Sequence, residues 1–373
     1  MNNKEVREIK RRLQPGKNNI THLYGCYVNS ATREVISSFD EPVSMLEEQE
    51  QTEYFGLLNK SLSGGMGKNL MDVSFTTAQV QGSPEHQLLS QLRQSRFEDE
   101  GLREQLCSLL MENLSFEEKN YLILMAYDAY DVAWDKDSEE SGDVFRYILC
   151  CVCPVTAGRA ELGYRHDDRR FHNAVISQMV TAPILGFMYP AFDDRCTNIY
   201  GALLYSRNAR ENHAAFVNSV FRLPAPMTAM EQKDCIDGLL TDCIGQECSF
   251  ETVQNLNRQI CEKISAHKES GSPELLSFTG HEMGELLEES GAAPERVESF
   301  IQGCEERLGK DGAVVSTNIC NPKRMTIETE QIKISLDPQY SHLITTKKEN
   351  GRKYIIIAAD TGVEINGVPV DIP

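Results

Sequence analysis

Four aspartates and an arginine carry the densest chemistry in this 373-residue sequence. Asp128 and Asp131 come directly after the apolar run Tyr121 to Tyr127. Asp193 and Asp194, with Arg195 beside them, end the apolar stretch Ile184 to Phe192. The ends of central strands are where α/β proteins gather site residues. If the two strands are neighbours, three or four carboxylates meet on one rim, and a set of hard oxygen donors such as Asp128, Asp131 and Asp193 holds Mg²⁺ or Mn²⁺. An ion held that way would serve phosphoester hydrolysis, with His166, His172 or His213 as a base. The plainer account is that Asp128 and Asp131 cap a turn and Asp193 pairs with Arg195, since carboxylates at loop starts are common turn formers.

The remaining motifs are incomplete. Ser63-Gly64-Gly65-Met66-Gly67-Lys68-Asn69 has the glycines and lysine of a phosphate loop. It lacks the glycine that should stand at Leu62 and the hydroxyl that should stand at Asn69, and it follows a helical pattern, so it reads as a helix stop and turn. Cys150, Cys151 and Cys153 include one C-x-x-C spacing without a second pair to complete a zinc site. In a strand, Cys151 and Cys153 share a face and Cys150 points away, so core packing is the expected role, with Cys26 and Cys196 as the only distant partners to consider. Gly-x-Ser-x-Gly is absent, Ser341-His342 sits in ordinary β or turn sequence, and His281-Glu282 lacks the second histidine of a zinc protease.

The elements that would position these residues follow from periodicity. Residues 1 to 17 read as a basic helix stopped at Pro15-Gly16, followed by strands at Thr21 to Val28 and Val35 to Phe39. Ser44 with Glu47 makes a capping-box pattern before a helix carrying Tyr54, Leu57, Leu58 and Leu62. Leucines from Leu88 to Leu114 recur at helical spacing. Tyr121 to Tyr127 and Phe145 to Val155 are near-continuous apolar runs, the pattern of strands covered on both faces. Ile184 to Phe192 and Ile199 to Tyr205 add two more strands, and Pro190 places the first near an edge or strand end.

The expected class is α+β, with a mixed central sheet flanked by helices, a helical connector and a small C-terminal β module. The expected divisions are an α/β core over 1–222, a helical segment over 223–310 and a β-hairpin module over 311–373. Pro224-Ala225-Pro226 marks the first boundary, and Thr279 with Glu282 caps one of the connector helices. From Met325 onward Thr326 to Leu336 alternates, and Asn350-Gly351 and Asn366-Gly367 mark hairpin turns in what reads as a small sheet.

A formal charge of −19 opposes wholesale coating of nucleic acid or anionic lipid, so no strong nucleic-acid signature is present. Two basic clusters are exceptions: Lys4, Arg7, Lys10, Arg11, Arg12 and Lys17 at the start, and Lys347, Lys348, Arg352 and Lys353 near the end. The first leaves local RNA contact through Arg11 and Arg12 as a third reading, and solvated faces are the plainer account of both. Mean hydropathy is −0.39, no apolar stretch approaches membrane-span length, and no signal-type segment follows Met1, so a cytoplasmic protein with no membrane association is expected. The twelve cysteines then read as reduced thiols, mostly packed as small hydrophobes.

Several segments resemble one bacterial family. They are Tyr24-Gly25-Cys26-Tyr27-Val28, Leu62-Ser63-Gly64 through Gly67-Lys68-Asn69-Leu70, Tyr121-Leu122-Ile123-Leu124 with Asp128-Ala129-Tyr130-Asp131-Val132, and Tyr147-Ile148-Leu149-Cys150 with Cys153-Pro154-Val155. Gly186-Phe187-Met188 with Pro190-Ala191-Phe192-Asp193-Asp194-Arg195, Asn350-Gly351-Arg352-Lys353-Tyr354 and Val363-Glu364-Ile365-Asn366-Gly367 belong to the same pattern. The likeness is to the cytoplasmic family catalogued as domain of unknown function 4317. It implies bacterial origin and one architecture over almost the whole chain, and it brings no reaction with it.

With no complete catalytic motif, the first expectation is a non-enzymatic binding or regulatory protein with a protein or small-ligand partner, docking through the C-terminal hairpins. The alternative is a divalent-metal phosphoesterase or nuclease using the four aspartates.

Overall fold

The computed structural model describes residues 1–114, 119–132, 144–158, 160–165, 167, 169–175, 178–245, 249–359 and 362–371. They form two compact units, Met1–Thr228 and Ala229–Pro373.

The first unit opens with helix α1 (Asn3–Arg12), strands β1 (His22–Asn29) and β2 (Glu34–Pro42), helix α2 (Glu48–Lys60) and strand β3 (Leu70–Ser74). Helices α3 (Thr77–Gly82), α4 (Pro84–Gln94) and α5 (Glu100–Asn113) follow. Then come the long strands β4 (Tyr121–Asp131) and β5 (Val144–Thr156), and the shorter β6 (Ala160–Arg165), β7 (Arg170–Val175) and β8 (Met179–Val180). Strands β9 (Leu185–Tyr189), β10 (Ala191–Asp193), β11 (Cys196–Asn198) and β12 (Gly201–Ser206) lead to helix α6 (Ala214–Phe221).

The central sheet runs β2-β1-β4-β5-β9-β12-β3, with β8 paired to β5. The α+β class expected from the sequence holds, and strand direction is the correction: every ladder of this sheet is antiparallel, so it is not mixed. The apolar runs arise, as the sequence pattern indicates, because both faces of the central strands are buried. Along β4, Tyr121, Ile123, Met125 and Tyr127 enter one core with Leu89, Leu92, Leu106 and Leu110 of α4 and α5 and Phe216 and Val217 of α6. Leu122, Leu124, Ala126 and Asp128 point to the other face by the two-residue alternation of a strand, and are equally buried. On β5, Ile148, Cys150 and Val152 join the helix-side core, and Tyr147, Leu149, Cys151 and Cys153 face the opposite side, where α2 packs.

Local chemistry sets the ends of these elements. Asn2 and Glu5 form a reciprocal capping box at α1, which ends in Lys10, Arg11 and Arg12, cations that complement the partial negative charge of a helix C-terminus. At α2 the box is Glu47 with Glu50 rather than Ser44 with Glu47, because a 3-10 turn at Val43–Met45 delays the helix start. Strand β4 runs on through Asp131, so Asp128 lies within the strand and not after it. Pro190 stands between β9 and β10, at a strand end where its missing amide donor costs no ladder bond.

The second unit begins with α7 (Ala229–Ile244), α8 (Phe250–Glu269), β13 (Ser277–Thr279), α9 (Gly280–Glu289) and α10 (Pro294–Leu308). Strand β14 (Ala313–Val315) and helix α11 (Ser316–Ile319) complete its helical part. Ile236, Leu239, Leu256, Ile260, Met283, Leu286 and Phe300 make the core, and Thr279 and Glu282 cap α9 reciprocally as their spacing predicts. This core continues past residue 310, since Val314 of β14 pairs with Phe278 of β13 within it.

Three separate hairpins follow in place of one small sheet: β15 (Met325–Glu328) with β16 (Lys333–Leu336), β17 (Ile344–Glu349) with β18 (Arg352–Ile357), and β19 (Val363–Ile365) with β20 (Val368–Val370). The alternation from Thr326 to Leu336 is therefore two strands about a turn. Asn350 and Gly351 adopt φ of 50° and 80°, the left-handed pair that a two-residue hairpin turn needs.

Strands β5 and β9 approach closely at Gly186. A Cβ there would sit 2.6 Å from the Cys150 carbonyl oxygen and 3.2 Å from the Cys151 Cα, backbone atoms that cannot swing aside. Gly186→Ala is expected to lower stability by roughly 1–3 kcal/mol, the cost of overpacking a dense core. A urea titration that gives the wild-type midpoint for this variant would contradict the β5–β9 register.

Candidate functional site: an acidic rim and an open cleft

Strand β5 lies between β4 and β9. The two acidic strand ends are thus not neighbours, as their convergence requires, but stand two ladder steps apart, roughly 10 Å. They share one rim, because β4 and β9 each run antiparallel to β5. Helix α1 supplies polar partners along that rim.

Asp128 meets the last residue of α1. Arg12 Nε and Nη2 donate to its two carboxylate oxygens at 3.0–3.1 Å, with the Arg12 side chain 16% exposed and that of Asp128 at 0%. The Asn19 amide donates to Oδ1 at 2.8 Å and the Tyr147 hydroxyl to Oδ2 at 2.7 Å. Tyr147 is the cross-strand neighbour of Asp128 in the β4–β5 register, so both side chains leave the sheet on the same face. Burial, then the Asp128 charge, pushes the Tyr147 phenol well above its usual range and keeps it a donor. Burial works against the Arg12 charge, but Asp128 outweighs it and the guanidinium is held above its usual value.

The network continues along α1. The Arg12 guanidinium lies 4.3 Å from the centre of the Tyr130 ring, and the Tyr130 hydroxyl donates to Glu8 at 2.6 Å. Arg195 donates to the other Glu8 oxygen at 2.8 Å, and its backbone amide donates to Glu5 at 3.3 Å. Arg195 therefore pairs with Glu8 and not with Asp193. Asp193 instead accepts from Asn198 Nδ2 at 3.1 Å and lies 3.6 Å from the Met1 amine. Asp194 and Arg195, with φ of 49° and 58°, form the turn of the β10–β11 hairpin. Asp131 is exposed at the end of β4.

This arrangement does not suit a cation. The Asp128 carboxylate already accepts from four donor groups, and a fixed guanidinium occupies the place where Mg²⁺ or Mn²⁺ would have to approach to about 2.0–2.6 Å. Among the described residues no group of three or more His, Cys, Asp or Glu side chains is placed to hold a metal ion. Of the histidines considered as a base, His213 contacts Ser206 Oγ at 3.1 Å, away from the aspartates, and the side chains of His166 and His172 lie outside the described residues.

The other sequence candidates are equally local. Cys151 and Cys153 share a face, with their sulfurs 3.8 Å apart, and Cys150 is on the opposite face, where burial pushes its thiol up. Cys26 lies in the helix-side core and Cys196 in β11, and the eleven described cysteines are free thiols. Ser63 to Asn69 is a turn in which Gly65 accepts from Lys68, Asn69 and Leu70, and the Asn69 side chain donates to Ser206 and Arg207. No described helix is long and apolar enough to cross a membrane.

What sequence reading missed is a cleft of about 410 Å³ between the β1–β2 ladder and α5. Tyr24, Cys26, Met111 and Met125 give it an apolar lining, and among the described residues Asp40, Glu100 and Glu104 contribute three carboxylates against the one guanidinium of Arg103. That guanidinium is already engaged: it lies 4.4 Å from the Tyr24 ring centre, pairs with Asp40 at 3.4 Å and donates to the Phe97 carbonyl. The available signal was the i, i+4 spacing of Glu100 and Glu104 on one face of α5.

Removing one partner of a buried ion pair leaves the other charge desolvated, at a cost of about 3–5 kcal/mol. Asp128→Asn is expected to destabilise the first unit by that order, and Tyr147→Phe by about 1–3 kcal/mol through the lost hydrogen bond. Denaturant unfolding measures both. Wild-type stability in Asp128→Asn would show that the Arg12 pair does not hold α1 in place.

The family model described as Domain of unknown function (DUF4317) matches residues 1–368 of the chain. No curated protein matches it.

Proposed function

We propose that this chain, which belongs to the DUF4317 family, is a non-enzymatic binding protein that takes a small amphipathic cation in the cleft between β1–β2 and α5. The observation that carries the reading is the chemistry of that cleft. Its volume of about 410 Å³ falls in the range typical of small-molecule sites, roughly 300–1,000 Å³. Its floor is apolar, its rim is acidic, and the only cation lining it among the described residues is engaged by Asp40, Tyr24 and Phe97.

An anion would enter against three carboxylates. A cation with an apolar body would instead place its body on Met111 and Met125 and its charge beside Glu100 and Glu104, two exposed side chains that can move to meet it. The negative formal charge of the chain favours the approach of the same kind of ligand.

Phenethylamine, a ring joined to an ammonium, is the probe, and its neutral analogue phenethyl alcohol is the control. Calorimetry is expected to show saturable binding of the amine, weakened by added salt and absent for the alcohol. Glu104→Gln and Glu100→Gln should each weaken it by about tenfold, the loss of one charge-assisted contact. Equal binding of amine and alcohol, or binding indifferent to both substitutions, would rule the reading out.

A further inference from the structure

Hairpin β17–β18 forms a two-stranded sheet of its own among the described residues, with Tyr354, Ile355, Ile356 and Ile357 all more than a third exposed. The Ala358 amide donates to the Leu343 carbonyl at 2.8 Å, across the hairpin. Backbone polar groups alternate sides along a strand, so the amides and carbonyls of Lys353, Ile355 and Ile357 point away from β17, along an open edge.

Edge strands are ordinarily protected from pairing by lysine, proline or short length. Strand β17 carries Lys347 and Lys348, β20 carries Pro369, and β15, β16 and β19 are no longer than four residues with a charge in each of them. Strand β18 and its extension have neither protection from Tyr354 to Ala359, a run of large β-branched and small apolar residues.

We propose that this edge pairs with the same edge of a second copy of the chain, making a four-stranded antiparallel sheet about a twofold axis. Only registers that set outward-pointing residues against outward-pointing residues allow the ladder to form, and the axis through Ile356 satisfies that condition best. It sets Ile355 against the partner's Ile357, Ile356 against its own counterpart, and the Tyr354 ring against the small side chain of the partner's Ala358. Lys353 then faces the partner's Ala359. The axis through Ile355 would instead set Lys353 against Ile357.

Charge favours the same solution. Lys347, Lys348, Arg352 and Lys353 crowd the turn end of the hairpin, and antiparallel pairing sends the two turn ends in opposite directions. The lysine-bearing β17 strands become the outer edges of the four-stranded sheet, where lysine stops further addition. A copy of β18 thus matches this edge in hydrogen bonding, in side-chain size and in charge placement.

Light scattering on the full chain over a concentration series tests the assignment, with a rise towards twice the chain mass expected. Ile355→Pro removes an outward amide that the hairpin does not use, and Ile355→Lys keeps the amide and adds a charge. Both should return the mass of one copy with an unchanged circular dichroism spectrum. Under mild oxidation Ile356→Cys should crosslink two chains, because non-hydrogen-bonded antiparallel neighbours stand about 4.5 Å apart at Cα, within disulfide reach. Lys353→Cys should not. A wild-type chain that stays at the mass of one copy throughout, a dimer that persists in both Ile355 variants, or equal crosslinking at positions 353 and 356 would each overturn the proposal.

Discussion

The buried pair of Arg12 with Asp128 is the constraint on which the first unit depends. It joins the last turn of α1 to β4 of the largest sheet, while the Asn19 amide and the Tyr147 hydroxyl take the remaining acceptor directions of the carboxylate. Without Asp128, the Arg12 guanidinium would be desolvated with no counter-charge. Without Arg12, the carboxylate would retain only the Asn19 amide and the Tyr147 hydroxyl. The rest of the rim extends the same logic outward, since Glu8 bridges Tyr130 and Arg195, and Glu5 both caps α1 and accepts from the Arg195 amide. Of the residues that read as a catalytic cluster, Asp128 and Arg195 are thereby accounted for as the attachment of a helix.

That attachment moves the search for function elsewhere in the unit. A carboxylate held by a bidentate arginine, a backbone amide and a phenol is chemically quiet, because its acceptor directions are already taken. The cleft beside α5 is different, because Glu100 and Glu104 stand exposed at its rim while Arg103 is held by Asp40, Tyr24 and Phe97. Carboxylates that the fold does not use are the ones available to a ligand. In the second unit the analogous unused resource is backbone, the outward row of amides and carbonyls along β18.

Much of the fold was legible in the residues. The apolar runs at Tyr121 to Tyr127 and Phe145 to Val155 are strands buried on both faces, Thr279 with Glu282 does cap a helix, and the Asn-Gly pairs do turn hairpins. Local misreadings came from competing local signals. Glu47 and Glu50 form the cap that Ser44 and Glu47 also spell out, and β4 continues through Asp128 because a buried partner compensates for a charge that would otherwise end a strand. Strand β3 was not anticipated, since Leu70 to Ser74 is short and has an aspartate at its centre.

The sequence by itself determined the class of the fold, most element positions, the family, and which residues share a face of a given strand or helix, because those follow from backbone periodicity over a few residues. Only the tertiary structure decided that β5 separates β4 from β9, and that Arg12 reaches Asp128 across 116 positions of chain. Alternation fixes the side of a strand a residue points to, but not which strand lies beside it. Pairing is settled by long-range packing of nearly equivalent apolar edges, and that packing converts four suggestive aspartates into one buried ion pair, one exposed strand end and the closing turn of a hairpin.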